Sequence, residues 1–204
     1  MTALAIHEPG SLAPATDLAV ARAAVVHALP GAPDHEIARR QILEFLDAHP
    51  DALHRTCARG HLTGSALVVD PRTREVLLLF HAKVRRWLQP GGHADGDANL
   101  AHVALREATE ETGIAGLRVV TPAIDLDVHV FHNASGVEPD HLHLDVRHLV
   151  LAPHTPEVAA NHESDGTAWV SLDDLARYDV DPGTVRMAEH GLRVLDRLGS
   201  SALS

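Results

Sequence analysis

Cysteine, positive charge and long apolar runs are all scarce in this chain, and each shortage excludes a class of protein. The one cysteine, Cys57, excludes a disulfide within the chain and favours a reducing compartment such as the cytoplasm. A formal net charge of −11 argues against a general nucleic-acid or anionic-membrane surface. No apolar run approaches the ~20 residues of a membrane helix. Residues 1–14 also lack the basic start and apolar core of a secretory signal. We therefore expect a cytoplasmic protein without nucleic-acid-polymer or membrane partners.

Residues 91–114 combine a glycine-rich, acidic loop with three glutamates at helical spacing. The glutamates are Glu107, Glu110 and Glu111. With roughly 100° of rotation per residue, positions i, i+3 and i+4 lie on one face of a helix. Three carboxylates on one face repel each other, and oxygen-only ligands suit Mg²⁺, Mn²⁺ or Ca²⁺ rather than zinc or copper. Magnesium held in this way leaves positions for water and substrate phosphates, so these residues predict a site for phosphate chemistry.

The same residues resemble the signature of the Nudix hydrolases, G-x5-E-x7-R-E-U-x-E-E-x-G-U, in which U is an aliphatic residue. Gly92 matches the first glycine, and residues 106–114 match the second half in register, with Ala108 at the aliphatic position. An isolated Glu-x-x-Glu-Glu is common on solvated helix faces. The glycine pair at the right distance, the Arg-Glu pair and the terminal glycine distinguish this match from such faces.

One departure from the signature is Ala98, which takes the place of the family's first glutamate. Asp95 and Asp97 lie just upstream, and we expect them to supply the missing oxygen, directly or through water. The departure also leaves open a second function, in which a Nudix-fold module binds or senses a nucleotide without cleaving it.

The resemblance implies an α/β fold, a Nudix-like α/β/α sandwich with a mixed sheet. We expect residues 59–204 to form the Nudix hydrolase domain and residues 1–58 to form an N-terminal helical extension. In that extension residues 1–14 are expected to be loose, Thr16 or Asp17 to cap one helix, and Asp34 to cap a second. We interpret the extension as a packing or dimerisation element, with a lid or substrate arm as the alternative.

Within the domain, apolar runs and turn residues predict strands and helices in a mixed order. Residues 65–70 and 75–80 predict a hairpin, and residues 117–130 and 141–151 predict long strands. The glutamate helix is expected to be capped by Asp97 and to end at Gly113. Trp169 and Val170 predict a short strand, and helices are expected from Ser171 and from Pro182 to about residue 198.

The resemblance also implies the reaction, which is hydrolysis of a diphosphate linkage in a nucleoside diphosphate joined to another group. Its cofactor would be Mg²⁺ or Mn²⁺, its partner a small nucleotide-type substrate, and its assembly a homodimer. Glu110 and Glu111 would bind the metal, Glu107 would be a further ligand or the base, and Glu163 is a second candidate for the base. The remaining predicted site residues are Gly92, Asp95 and Asp97 as metal ligands and Arg106 and Gly113 in structural roles.

Histidine is abundant, with 17 residues in the chain. His141, His143 and Asp145 would point to one face of a strand, because the side chains of a strand alternate between faces. Such a row suits a transition metal, or hydrogen bonds to phosphate or ribose, and the alternative is a histidine-rich surface that titrates near neutrality. A hydrolase with a histidine-bound transition metal is therefore a third hypothesis. We expect His141 and His143, with His93 and Arg86, to bind substrate.

Overall fold

A mixed β-sheet with helices on both of its faces organises the chain. The structure is a computed structural model that describes residues 2–82, 85–132, 139–153, 158 and 164–199. The strands are β1 (Ala5–His7), β2 (Gly60–Val69), β3 (Val76–His81), β4 (Arg86–Leu88), β5 (Gly91–His93), β6 (Arg118–Thr121), β7 (Asp125–Phe131), β8 (His141–Leu151) and β9 (Ser164–Val170). The helices are α1 (Leu18–His27), α2 (Pro33–Ala48), α3 (Leu100–Thr112) and α4 (Pro182–Leu198), with a 3-10 helix at Leu172–Tyr178.

The centre of the sheet is the parallel pair β2 and β8, which are in register from Gly60 opposite Leu142 to Val69 opposite Leu151. The strand order is β1-β6-β8-β2-β3-β4, with β5 added to β2, β7 to β8 and β9 to β3. These other pairs are antiparallel. The sheet is therefore mixed, as predicted.

Alternate side chains of β2 pack under helices on opposite faces of the sheet. Ala66 and Val68 pack with the buried side of α3, whereas Leu67 and Val69 pack with α4. The apolar residues of α1 and α2 join a third cluster with Leu62 and the start of α3. Both faces of the central strands are thus covered, which explains their nearly continuous apolar sequence. The α/β/α sandwich with a mixed sheet is confirmed.

The N-terminal extension matches the predicted helices but not all of their ends. Asp17 caps α1 by accepting a hydrogen bond from the backbone N–H of Ala19. The prediction that Asp34 caps α2 is wrong, because Pro33 already occupies the first helical position, where its fixed φ suits a helix. The prediction that residues 1–14 are loose is wrong for Ala5–His7, which pairs with β6.

Several other strand and helix ends differ from the predictions. Residues 117–130 form two strands, because Pro122 lacks the N–H that a sheet ladder needs. Strand β2 begins earlier than predicted, at Gly60, and β9 is longer than predicted. The cap of α3 is Asn99, which accepts a hydrogen bond from the N–H of His102, and not Asp97. No described helix has the length and apolar character needed to cross a membrane.

Candidate active site

Helix α3 lies close to the sheet because its inward side is built mainly from small residues. Ala101, Ala104 and Ala108 are buried against β2 and its neighbours. On the sheet, a Cβ added to Gly64 would lie 2.9 Å from a methyl of Val103, so glycine permits this approach. The helix ends at Gly113, which is left-handed (φ 66°) and donates its N–H to the carbonyl of Thr109.

Two glutamates of α3 meet the backbone of β5. A carboxylate oxygen of Glu111 accepts a hydrogen bond of 3.0 Å from the N–H of Gly91. The carboxyl group of Glu107 lies so close to Gly92 that an added Cβ would overlap it. Glycine at position 92 is therefore required by the approach of the Glu107 carboxylate to the backbone. Glu110 is the exposed member of the three glutamates.

Negative charge accumulates around Glu107. Burial raises the pKa of this carboxyl group, and the charges of Glu110 and Asp95 raise it further, while Arg106 opposes them. Arg106 donates hydrogen bonds of 2.7 Å to Glu107 and 3.2 Å to the carbonyl of His93. The guanidinium of Arg106 thus links α3 to β5. It lies beside Glu107, whose carboxylate a cation would stabilise.

The two upstream aspartates are held by other groups. Asp95 forms a bidentate ion pair with Arg55, at 2.7 and 2.6 Å, and this hydrogen bonding holds its pKa below the usual range. Asp97 accepts hydrogen bonds from the backbone of Ala15 and Asn99 and contacts a ring nitrogen of His102 at 2.6 Å. One oxygen of Asp97 is therefore engaged by two backbone N–H groups, and the other is engaged by His102.

Ala98 is fully buried, in the same cluster as the apolar residues of α1 and α2. Its N–H donates to the carbonyl of Ala15, and Asn99 donates its side-chain amide to the carbonyl of Ala13. Residues of the N-terminal segment, Ala13 and Ala15 among them, therefore contact the part of the chain where the signature has its first glutamate. An ionised carboxylate at this position would be buried without a partner, which is costly.

A cluster of imidazoles lies on the other side of β5 from the glutamates. His93 on β5, His61 on β2 and His143 on β8 have ring centroids 4.8 to 5.2 Å apart. His141 lies 4.7 Å from His61 by the same measure. Asp145, predicted in the same row, instead accepts hydrogen bonds from Thr63, Ser65 and Arg147.

Two rings of this cluster, those of His93 and His143, have pKa values below the usual value for histidine. Burial lowers the pKa of His93 to about 4, with help from the charge of Arg55. Burial also lowers the pKa of His143, to about 2, and the neighbouring histidines lower it further. Neutral imidazoles keep a nitrogen lone pair that a metal ion or a hydrogen-bond donor can use.

A buried ion-pair network adjoins the imidazole cluster. Arg147, 2% exposed, contacts Asp145 at 2.7 Å, Asp127 at 3.1 Å and Asp125 at 3.2 Å. Arg186 of α4 contacts Asp125 and Asp127 at 3.0 Å. Since three carboxylates face two guanidiniums, the network joins β7, β8 and α4 with nearly balanced charge.

The remaining predicted residues lie apart from these groups or outside the described residues. Arg86 is exposed on the edge strand β4, opposite His81. Glu163 lies outside the residues that the structure describes. Sequence reasoning missed His61 and the network of Arg147. The available signal was the alternation of His61, Thr63 and Ser65, which matches that of His141, His143 and Asp145.

Comparisons with known proteins bear on the family and the fold of the chain. The sequence model of the NUDIX domain matches residues 61–190. A C. elegans Ap4A hydrolase structure aligns with 17% identity and a TM-score of 0.55, covering 67% of this chain and 98% of that one. Two other structures align with TM-scores below 0.5. E. coli dihydroneopterin triphosphate pyrophosphohydrolase has 15% identity, covers 63% and 92%, and scores 0.49. A NUDIX family hydrolase from Clostridium perfringens has 21% identity, covers 68% and 97%, and scores 0.47. No curated protein matches the chain.

The domain match spans more than half of the chain, so the protein belongs to the Nudix family. The predicted family is thereby confirmed, and with it, at the level of the family, a pyrophosphohydrolase enzyme. The alignment to the C. elegans structure independently supports the fold.

Proposed function

We propose that the protein is a metal-dependent hydrolase that cleaves a diphosphate linkage in a nucleoside diphosphate joined to another group. The observation that carries this proposal is the meeting of Glu107 and Glu111 with the glycine backbone of β5. It brings two carboxylates to the backbone of Gly91 and Gly92, with Glu110 on the same helix.

These groups fit a Mg²⁺ or Mn²⁺ ion. The donors are all oxygens, and the pKa of Glu107 is raised by burial and by neighbouring negative charge, so a cation would relieve both. In this proposal Glu110 and Glu111 hold the ion, with Glu107 as a further ligand or the base and the carbonyl of Gly92 as an additional ligand. When bound, such an ion neutralises phosphate oxygens and lowers the pKa of a coordinated water.

The protein's own side chains have two tasks in this reaction. If Glu107 is the base and not a further ligand, its carboxylate would accept a proton from the attacking water. Arg106 fixes the direction of that carboxylate and ties it to β5. Asp95 and Asp97, which we expected to bind the metal, would instead shape the loop through Arg55 and His102.

A second candidate function is nucleotide binding without cleavage. The burial of Ala98 favours it, because no acid can reach the metal from the first glutamate position of the signature. The three glutamates of α3 oppose it, because a module that only binds does not need this many carboxylates beside a phosphate.

We also propose that residues 1–58 are an extension added to a Nudix domain of residues 59–204. The extension packs on the domain through one cluster that contains Ala98 and residues of α1 and α2. The proposed compartment is the cytoplasm, in keeping with the single, buried Cys57. The proposed assembly is a homodimer, which light scattering of the purified protein would test.

The test is cleavage across a panel of nucleoside diphosphate derivatives with added Mg²⁺ or Mn²⁺. Wild type is compared with Glu111→Gln, which keeps an oxygen to accept the hydrogen bond of Gly91 but removes the charge. Glu189→Gln, at an exposed position on α4, is the matched control. We expect Glu111→Gln to lose at least ~100-fold in rate, because removal of a metal ligand or base costs several kcal/mol.

Two results would count against the proposal. Equal cleavage rates for wild type and Glu111→Gln would show that the charge of Glu111 is not needed for the reaction. Tight binding of panel members without cleavage, with either metal, would favour the binding module instead.

A further inference from the structure

We propose that His61, His93 and His143 form a second metal site, which takes a divalent transition-metal ion of the zinc class. This site is distinct in ligand chemistry and position from the carboxylate site of α3. It goes beyond the proposed hydrolase, and its test does not depend on any cleavage.

Three strands bring one nitrogen from each ring together. A ligating nitrogen of each of the three histidines lies within 4.8 Å of the others. In a tetrahedral zinc site with Zn–N bonds of ~2.0–2.1 Å, two nitrogens lie ~3.4 Å apart. Ring rotations of about 1 Å at the nitrogen would therefore close the site, with no movement of the strands.

The positions of the three histidines follow from the register of the strands. His61 lies opposite His143 in the parallel pair of β2 and β8, and His93 lies opposite Thr63, two residues further along β2. Paired residues of neighbouring strands share a face of the sheet. The three ligands are thus set by the ladder itself and not by loops.

The protein leaves nitrogens in this cluster without partners of its own. The buried Nε2 atoms of His143 and His141 have no hydrogen-bond partner among the described residues. A buried polar atom without a hydrogen-bond partner is energetically unfavourable, so the arrangement favours a ligand that uses this atom. A transition-metal ion is such a ligand, and imidazole is its common donor in proteins.

His141 stands behind the three ligands with a defined tautomer. Its Nδ1 lies 2.9 Å from the carbonyl oxygen of Pro139, and because a carbonyl only accepts, this nitrogen carries the hydrogen. In the neutral ring the lone pair is then on Nε2, the buried atom. An oriented lone pair of this kind is typical of metal-binding histidines. His141 could therefore supply the fourth ligand in place of water.

The carboxylate and imidazole sites face opposite sides of one short strand. Gly92 faces Glu107, on the side of α3, while His93, the next residue, faces His61 and His143. Adjacent residues of a strand point to opposite faces. Three imidazoles leave at least one position for water or for the oxygen of a bound anion, which is the pattern of an open zinc site.

The test is a zinc titration of the metal-free protein against a chromogenic chelator. The variants are His143→Asn and His93→Gln, and the matched control is His132→Asn, an exposed histidine paired with Asp140. Glu111→Gln is included to remove the carboxylate site. We expect one zinc per chain in wild type, at least ~100-fold weaker binding in the first two variants, and a change below ~3-fold in the other two.

X-ray absorption at the zinc edge of wild type gives a second measurement that does not depend on how a variant folds. We expect a first shell dominated by three imidazoles with Zn–N of ~2.0–2.1 Å. A shell of oxygens, zinc binding lost in Glu111→Gln but kept in His143→Asn, or no binding to wild type would each overturn the proposal.

Discussion

The two sides of β5 differ in chemistry although they are one residue apart. On one side, Gly92 has no side chain and lets the carboxyl group of Glu107 reach the backbone. On the other, His93 joins a cluster of imidazole rings with His61 and His143. The carboxylate side offers oxygens that suit a hard cation, whereas the imidazole side offers nitrogens that suit a softer one.

This difference shows how a single sheet can separate two kinds of site. The carboxylates come from a helix that packs on one face, and their number is visible in a continuous motif. The imidazoles come from three strands that meet only after folding. Breaking one side without the other is therefore the way to test both assignments.

The largest expected effect is a loss of stability when the buried ion-pair network beside the imidazole cluster is broken. Replacing Arg147 by Met would leave Asp125 and Asp127 with Arg186 and one histidine each, and Asp145 with the hydroxyls of Thr63 and Ser65. We expect a loss of about 3–5 kcal/mol in the free energy of unfolding, because breaking a buried network leaves charges unpaired. Urea unfolding measures it, and Arg74→Met, in an exposed pair with Asp196, is the control and should cost less than about 1 kcal/mol. A similar small cost for both would show that the buried network is not structural.

The next effect tests whether metal-dependent cleavage needs the close approach of Glu107 to Gly92. Gly92→Ala would place a methyl group where the carboxyl of Glu107 lies, so the site would have to open. We expect at least ~100-fold slower metal-dependent cleavage, since small displacements of catalytic groups have effects of this size. Gly166→Ala, whose added Cβ would meet its nearest atoms at 3.7 Å, is the control on β9. Unchanged cleavage in Gly92→Ala would separate Glu107 from the reaction.

The response to pH reports the neutral histidines. Burial lowers the pKa of His148 to about 4, and those of His93 and His143 are also lowered. Because these groups bind protons in the unfolded chain before they do in the folded one, stability is full above pH 6.5 and falls below it. We expect His148 alone to account for about 2 kcal/mol between pH 6.5 and pH 5. The measurement is the free energy of unfolding from pH 6.5 to pH 5, with a chelator present. A free energy that does not change over this range would contradict the prediction.

The smallest effect tests the aspartate that sequence reasoning assigned to the metal. Asp95→Asn removes an exposed ion pair with Arg55, so we expect less than about 1 kcal/mol in stability. We also expect cleavage within ~3-fold of wild type, because the carboxylate of Asp95 is directed to Arg55. A fall comparable to that of Glu111→Gln would restore Asp95 as a metal ligand.

The motif and the class of fold were predictable from the sequence because both depend on short-range patterns. Gly92, Gly113 and the glutamates of α3 follow one another at fixed spacing, and apolar runs mark the central strands. The imidazole cluster was only half visible. The row of His141 and His143 follows from the alternation of side chains along one strand. The position of His61 beside them depends on the parallel pairing of β2 with β8, two strands that are far apart in the sequence.

The role of Ala98 also could not be predicted from local sequence. Its burial depends on the extension, which reaches it through the carbonyl of Ala15. Ala15 also donates its N–H to Asp97, one of the two aspartates predicted to bind the metal. A motif read alone does not show which of its positions another segment will cover.

The most direct test of the account is Mn²⁺ binding to wild type, Glu111→Gln and Glu189→Gln, followed by electron paramagnetic resonance of the free ion. The account predicts binding to wild type and to Glu189→Gln with equal affinity, and at least ~10-fold weaker binding to Glu111→Gln. Equal binding by all three proteins would show that the glutamates of α3 do not hold the metal, and would contradict the central claim.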